Sequence, residues 1–461
     1  MSLWKIEEIC AALEIKNSID ENLTFQRISI DSRTVKKGDL FIPIKGLKFN
    51  GHDFIEQALE KGAYASIIEK KEKKRFLKEK KLIEVKNSNQ TLKKLATYSR
   101  MRNKKLIMVG ITGSCGKTTL KEWSYQIFKE FKKSYCTFGN YNNEIGLPLT
   151  LINMPKQTEL CILELGMNSK GEIKNLSEIA KPSISVITNI GTAHSGNFLK
   201  FKDIAEEKSQ ILSYLDKKSI AIIPRESEYF QYLLKKASKK TEKVYSFGKS
   251  DECDIQISKT RKKNNWIIKI FGEEIRVKNK IYFESWAQHA GIILGLAKIL
   301  KFNMDSCIRN TQLLSPINGR GKIIKKVFQG KKIVIIDDSY NSNPESLSHA
   351  IKNLKNYYLP HSRKICVIGD MLELGKSSKK MHIAISEIIV KNKPDIIITL
   401  GKLAKLIFDN LPNNFEKFHY DVYHQVWNKL TKIIKDKDVI MLKGSNSTNL
   451  HIISNNLINV S

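Results

Sequence analysis

The 461-residue sequence has only ten prolines and seven cysteines, and nowhere do eighteen apolar residues follow one another. Cys10, Cys115, Cys136, Cys161, Cys253, Cys307 and Cys366 are scattered, with no C-x-x-C pair. That spacing argues against a disulfide framework or a cysteine zinc site and leaves reduced thiols as the expectation. The missing apolar run excludes a membrane-spanning helix, and residues 1–8 lack the basic-then-apolar layout of a secretory signal. A soluble, cytoplasmic protein is expected. Acidic residues are also in short supply: 47 Asp and Glu face 79 Lys and Arg, a formal charge of +32. The lysines run along the whole length, however, and the densest run, residues 69–75, is interleaved with glutamate. A solvated face explains the charge at least as well as a nucleic-acid partner does, so no nucleic-acid partner is expected, and the charge also favours polyanionic small substrates such as nucleotides.

What the sequence does contain is one stretch that organises the rest. Residues 106–109 form an apolar run, Gly110-Ile111-Thr112-Gly113-Ser114-Cys115-Gly116-Lys117-Thr118-Thr119 follows, and an amphipathic pattern occupies 120–131. This reads as strand, glycine loop and helix, the context in which backbone N–H groups and a helix N-terminus cradle phosphate. Gly113, Ser114, Cys115, Gly116, Lys117, Thr118 and Thr119 are the expected ATP-binding residues. Lys117 would reach the terminal phosphates and the Thr118 hydroxyl would ligate Mg²⁺. The loop is a variant, because the first glycine of the usual pattern falls on Ile111. Cys115 has two readings, a thiol made reactive by the helix end or a small filler.

Length alone predicts two to four domains. Residues 1–102 read as a small α/β domain, with helices over 6–13 and 55–61 and a strand over 65–68. In it, Asp31-Ser32-Arg33 taken alone is a turn with a surface ion pair. Residues 103–315 alternate strands (106–111, 160–165, 184–190, 219–223) with helices, as a parallel-sheet ATPase domain requires, then add a β-meander (254–258, 266–271, 274–277) and a closing helix over 286–300. Residues 316–461 repeat the alternation in Rossmann style, with strands over 332–337, 364–369, 395–400 and 439–442 and helices over 345–356, 379–390 and 422–434. The fold class is thus α/β in three domains.

Polar residues gather at the carboxyl ends of the central strands, where open α/β sheets bind ligands. Glu164 ends one strand, and its carboxylate is the natural second magnesium ligand beside Thr118. His194 closes the run after the next strand and is a candidate metal or phosphate contact.

The succession 112–119, Asn142-Asn143-Glu144-Ile145-Gly146-Leu147-Pro148, Glu164-Leu165-Gly166-Met167-Asn168 and Asp338-Ser339-Tyr340-Asn341-Ser342-Asn343-Pro344 resembles the Mur ligases. Gly369-Asp370-Met371-Leu372-Glu373-Leu374-Gly375, Lys443-Gly444-Ser445 and the early Asp31-Ser32-Arg33 and Gly51-His52 agree, so the resemblance spans nearly the whole chain. It implies ATP-dependent amide synthesis in peptidoglycan precursor assembly, and with it roles in cell-wall biogenesis, cell shape and division. The γ-phosphoryl group would pass to the carboxylate of a UDP-N-acetylmuramoyl-tripeptide, and D-alanyl-D-alanine would attack the acyl phosphate. ATP is consumed because phosphate leaves where carboxylate oxygen would not.

The same resemblance implies a set of site residues. Lys208 would be carbamylated by CO₂ and join Thr118, Glu164 and His194 at the metal. Arg320 would contact ATP phosphate when domains close, and Asp338 the ribose. Ser32, Arg33, Asn143, Asn341, Ser342 and Asn343 would contact the two substrates, although Asn341, Ser342 and Asn343 also suit helix capping. The family's adenine-reading asparagine falls here on Ile293, which leaves adenine without that partner. A monomer is expected.

Overall fold

Among the described residues the chain forms a short antiparallel pair, Trp4–Lys5 with Thr24–Phe25, and then three main sheets in succession, each built mainly from parallel strands rich in Ile, Val and Leu. The computed structural model describes residues 2–16, 19–46, 48–76, 81–191, 196, 198, 200–260, 265–277 and 283–459. The first sheet has four parallel strands in the order Arg27–Ser29, Asp39–Phe41, Ala65–Glu69 and Leu82–Val85. Helix Ser88–Met101 covers it, capped by the Asn87 side chain, which accepts from the Gln90 N–H. This unit is docked on the next one through buried groups. The indole N–H of Trp4 donates to the Ile152 carbonyl at 2.9 Å, and Asn153 pairs with both the N–H and the carbonyl of Ile28.

The central sheet has nine strands, and the polar ends of its middle strands build the site. From one edge the order is Ser134–Cys136, Leu160–Glu164, Ile107–Thr112, Ile184–Ile187, Ile220–Pro224, Lys243–Gly248 and Ile255–Lys259, all parallel. Trp266–Ile270 and Glu273–Val277 complete it antiparallel. The expected meander is therefore a continuation of the main sheet, because Ile255–Lys259 pairs with Lys243–Gly248, a strand the sequence pattern did not give. The strand expected over 184–190 stops at Ile187, where the chain turns into the site.

Helix Glu284–Ile299 is buried along most of its length, and Ile293 is completely enclosed in the main core. Each such fully buried Ile or Leu stabilises the fold by about 1.5–3 kcal/mol. Ile293 thus faces packing and not a ligand. Trp123 of helix Lys117–Phe128 meets Trp286 edge-on at 5.8 Å and donates its indole N–H to the Ser315 carbonyl.

The third sheet runs Lys322–Phe328, Lys331–Asp338, Val439–Lys443, Lys364–Gly369, Ile396–Leu400, Glu416–Tyr420. All neighbours are parallel except the first pair, a hairpin turned by Gln329 and Gly330 with φ of 47° and 75°. No helix among the described residues is long and apolar enough to cross a membrane.

Candidate active site

The loop after Ile107–Thr112 lies between the ends of Leu160–Glu164 and Ile184–Ile187, so three strand ends converge on it. Gly116 precedes helix Lys117–Phe128 with φ 80°, and any Cβ there would collide with the His289 imidazole. Glycine is required by both counts. Lys117 Nζ donates back to the Gly113 carbonyl at 2.7 Å. The Thr118 hydroxyl donates to Glu164 Oε2 at 2.8 Å, and Asn142 Nδ2 donates to Glu164 Oε1 at 2.8 Å. Behind Glu164, its N–H donates to Thr137 Oγ1, and the fully buried Lys121 ammonium donates to the Thr137 carbonyl at 2.6 Å. A hydroxyl and a carboxylate fixed side by side at a phosphate loop are hard oxygen donors, so they fit Mg²⁺ completed by phosphate oxygens. Among the described residues no cluster of three or more His, Cys, Asp or Glu side chains offers another metal site.

Lys208 ends helix Phe201–Lys208 with 1% of its surface exposed, and its Nζ donates to the same Gly113 carbonyl at 3.1 Å. Burial, with repulsion from Lys117 second, holds its pKa well below the usual lysine range. Burial lowers Lys117 as well, opposed by the Glu164 carboxylate. Glu207 anchors this helix by accepting from the N–H groups of Gly171 and Ile173. His194 lies outside the described residues. Cys115 is half-buried with its Sγ against Asn343, and desolvation first, then the Glu345 carboxylate, pushes its thiol up to about 11, which favours the filler reading over the reactive one.

The third unit brings its own groups to the loop. Arg320 stacks over the Tyr340 ring at 4.0 Å, and its buried Nε has no hydrogen-bond partner. Its charge acts on both Lys117 and Asp338, so it stands between the two units, and an unpaired guanidinium N–H there fits a phosphate oxygen. Asp338 is paired with the buried Lys443 at 2.8 Å, and Lys443 also donates to the Asn341 carbonyl. Burial raises the Asp338 carboxyl while Lys443 pulls it down. Asn341 Oδ1 accepts from the Ser342 N–H, and the buried Ser342 hydroxyl has no partner. Asn343 caps helix Pro344–Asn356 and touches Cys115 Sγ at 3.5 Å. A cavity of about 1220 Å³ opens between the two units, lined by Asn189, Trp266, Gln288, Glu345 and Tyr357 among others. It is roomy enough for a nucleoside beside the loop.

The substrate residues expected in the first unit are engaged in local contacts. Asp31 caps the turn Ser32–Thr34, the Ser32 hydroxyl donates to Gln57, and Arg33 is largely exposed, paired with Asp31 at 2.8 Å. The turn with a surface ion pair is what forms. Asn143 is exposed and accepts from the Gly146 N–H at 2.8 Å. Asn142, Thr137, Asn189, His289, Glu345 and Lys443 belong to the site and were not among the expected residues. Asn142 and Asn189 sit inside motifs read for their neighbours, and Lys443 within one read for the family.

Fold and site together define an ATP-dependent ligase made of three α/β units around a phosphate loop. Family models for the Mur ligase family catalytic domain, the Mur ligase middle domain and the Mur ligase glutamate ligase domain match residues 24–100, 111–286 and 319–446. The chain belongs to the Mur ligase family. It is 32% identical to UDP-N-acetylmuramoyl-tripeptide–D-alanyl-D-alanine ligase of Rickettsia prowazekii (strain Madrid E), over 97% of this chain and 98% of that protein. The crystal structure of MurF from Acinetobacter baumannii superposes with a TM-score of 0.86 at 25% identity, covering 99% of this chain and 98% of that one. MurF from Thermotoga maritima in complex with ADP gives 0.80 at 29% identity over 93% and 96%.

Proposed function

We propose that this chain joins D-alanyl-D-alanine to UDP-N-acetylmuramoyl-tripeptide, consuming ATP through an acyl phosphate. The observation that carries the reading is the convergence of Lys117, Lys208 and the Thr118–Glu164 pair on one phosphate loop, in a chain similar to that ligase over nearly its full length. Lys117 and Arg320 offset the charge of the triphosphate as it meets the substrate carboxylate, and the loop amides hold the phosphates in line. Thr118 and Glu164 would hold Mg²⁺, which supplies charge neutralisation at the transferring phosphoryl group.

Lys208 is the carbamylated residue in this reading. Its buried, weakly basic amine is the neutral nucleophile that CO₂ requires: the N–C bond forms, one C=O π pair moves to oxygen, and a proton leaves. The resulting carbamate presents oxygens where an ammonium would repel the metal. Asp338 serves the ribose, and Asn143, Asn341, Ser342 and Asn343 the acceptor side, while Ser32 and Arg33 face the uridine diphosphate. The domain limits in this reading are 1–102, 103–315 and 316–461, supported by one main sheet within each. A cytoplasmic monomer suits soluble nucleotide-linked substrates. Phosphate release measured with purified protein tests the whole: release is expected only when ATP, tripeptide and dipeptide are all present, and equal release with either acceptor omitted overturns it.

A further inference from the structure

Asn189 follows strand Ile184–Ile187 and reaches the phosphate loop. Its Oδ1 accepts from the N–H of Ser114 at 3.0 Å and of Cys115 at 2.9 Å, and its Nδ2 donates to Glu345 Oε1 at 2.8 Å. Chemistry fixes the orientation of this amide, because backbone N–H groups only donate and a carboxylate only accepts. Glu345 belongs to the first turn of helix Pro344–Asn356, in the other unit. Its second oxygen lies 4.0 Å from Cys115 Sγ and so close to Gly191 that a Cβ there would collide.

In a strand–loop–helix of this kind the loop N–H groups are the donors for phosphate oxygen. Two of them are engaged here by a neutral side-chain oxygen, with a carboxylate holding that side chain in place. We propose that Glu345 is a positioning residue that presses Asn189 onto the loop, so that Asn189 competes with the nucleotide phosphates for the Ser114 and Cys115 N–H groups. Nucleotide entry then requires Asn189 to swing off the loop and give up its bond to Glu345. The carboxylate adds repulsion toward the incoming anion. This inference rests on the nucleotide-binding reading of the loop and is independent of which acceptor is used.

Titration calorimetry of the full chain with Mg·ADP alone tests it. Glu345→Ala is expected to bind ADP about tenfold more tightly than wild type. Glu345→Gln, nearly isosteric, keeps an acceptor for Asn189 but removes the charge, so its affinity falls between the two. Asn189→Ala frees the Cys115 N–H, leaves the Ser114 N–H only its 3.2 Å bond to the backbone carbonyl of residue 189, and also tightens binding. Unchanged or weaker binding in both Glu345 variants overturns the proposal, as does weaker binding in Asn189→Ala, which would make Asn189 a phosphate ligand. A wild-type chain that binds no ADP overturns both this inference and the loop's assignment. A chain that binds ADP as described yet joins no tripeptide to dipeptide contradicts only the proposed substrates.

Discussion

The side-chain nitrogens of Lys117 and Lys208 donate to one carbonyl oxygen, that of Gly113, at 2.7 and 3.1 Å. Two ammonium groups so close in a buried site repel, and the one with less solvent gives up its proton more readily. Lys208 is that residue.

A carbamate on Lys208 makes the enzyme depend on dissolved CO₂. Activity in CO₂-stripped buffer is expected to fall and to recover on adding bicarbonate. Lys208→Arg, which keeps the charge but offers no amine, should lose about 10²–10³-fold in turnover and ignore bicarbonate. The sign with pH follows from the amine: carbamylation needs the unprotonated form, so the bicarbonate requirement grows as pH falls. Full activity of Lys208→Arg at any bicarbonate level contradicts the assignment.

Asn142 touches no phosphate-loop atom in the hydrogen-bond network and acts through Glu164, whose Oε1 it holds at 2.8 Å. Without it Glu164 keeps its bond to Thr118 but loses its fixed rotation. Asn142→Ala is therefore expected to raise the Mg²⁺ concentration for half-maximal activity about tenfold, with turnover at saturating Mg²⁺ largely restored. Glu164→Gln removes the charged ligand itself and should not be restored by added Mg²⁺. A titration in which both variants behave alike argues against the separation of roles.

The parts legible in the sequence are those whose signal is local. Gly116-Lys117-Thr118 between an apolar run and an amphipathic run gives loop, strand and helix together, and buried parallel strands such as Leu160–Glu164 read as short apolar blocks. Edge strands do not. Lys322–Phe328 pairs its lysines and its apolar residues in twos, Lys322-Ile323-Ile324-Lys325-Lys326-Val327-Phe328, and only its last residue is buried, so neither an apolar block nor a period of two marks it, and only Gly330 after it signals the hairpin. Ser134–Cys136, an edge strand of the central sheet, is only three residues long. The Asn189–Glu345 bond joins residues 156 positions apart in different units, and neither residue type advertises a site. Asn343 was legible as a helix cap, since an asparagine directly before proline at a helix start caps by its type, whereas its 3.5 Å approach to Cys115 in another unit has no local signal.

Arg320 is held by a ring, and its chemistry depends on being planar. Lysine keeps the charge but neither stacks on Tyr340 nor presents a fixed fork of donors. Arg320→Lys is expected to raise KM for ATP about tenfold, and Tyr340→Leu, which removes the platform alone, by a smaller factor of about three. Steady-state kinetics in ATP at saturating acceptors would show this order, and a larger effect from Tyr340→Leu than from Arg320→Lys contradicts it.

His289 makes the phosphate loop a source of acid sensitivity. Its ring is buried against Gly116 and edge-on to Trp123 at 6.0 Å, its Nδ1 has no hydrogen-bond partner, and burial lowers its pKa to about 4. The folded value lies below the unfolded one of about 6.5, so the unfolded chain takes up the proton first and stability falls with pH. The contribution is complete above about pH 6.5 and declines by about 3 kcal/mol as pH drops to about 4. Glutamine carries no titrating proton there. Urea unfolding of wild type and His289→Gln should therefore show wild type losing stability faster between pH 7 and pH 4, by about that amount. A stability difference between the two proteins that stays constant over this range would mean that the imidazole is solvated and protonates as readily in the folded chain as in the unfolded one.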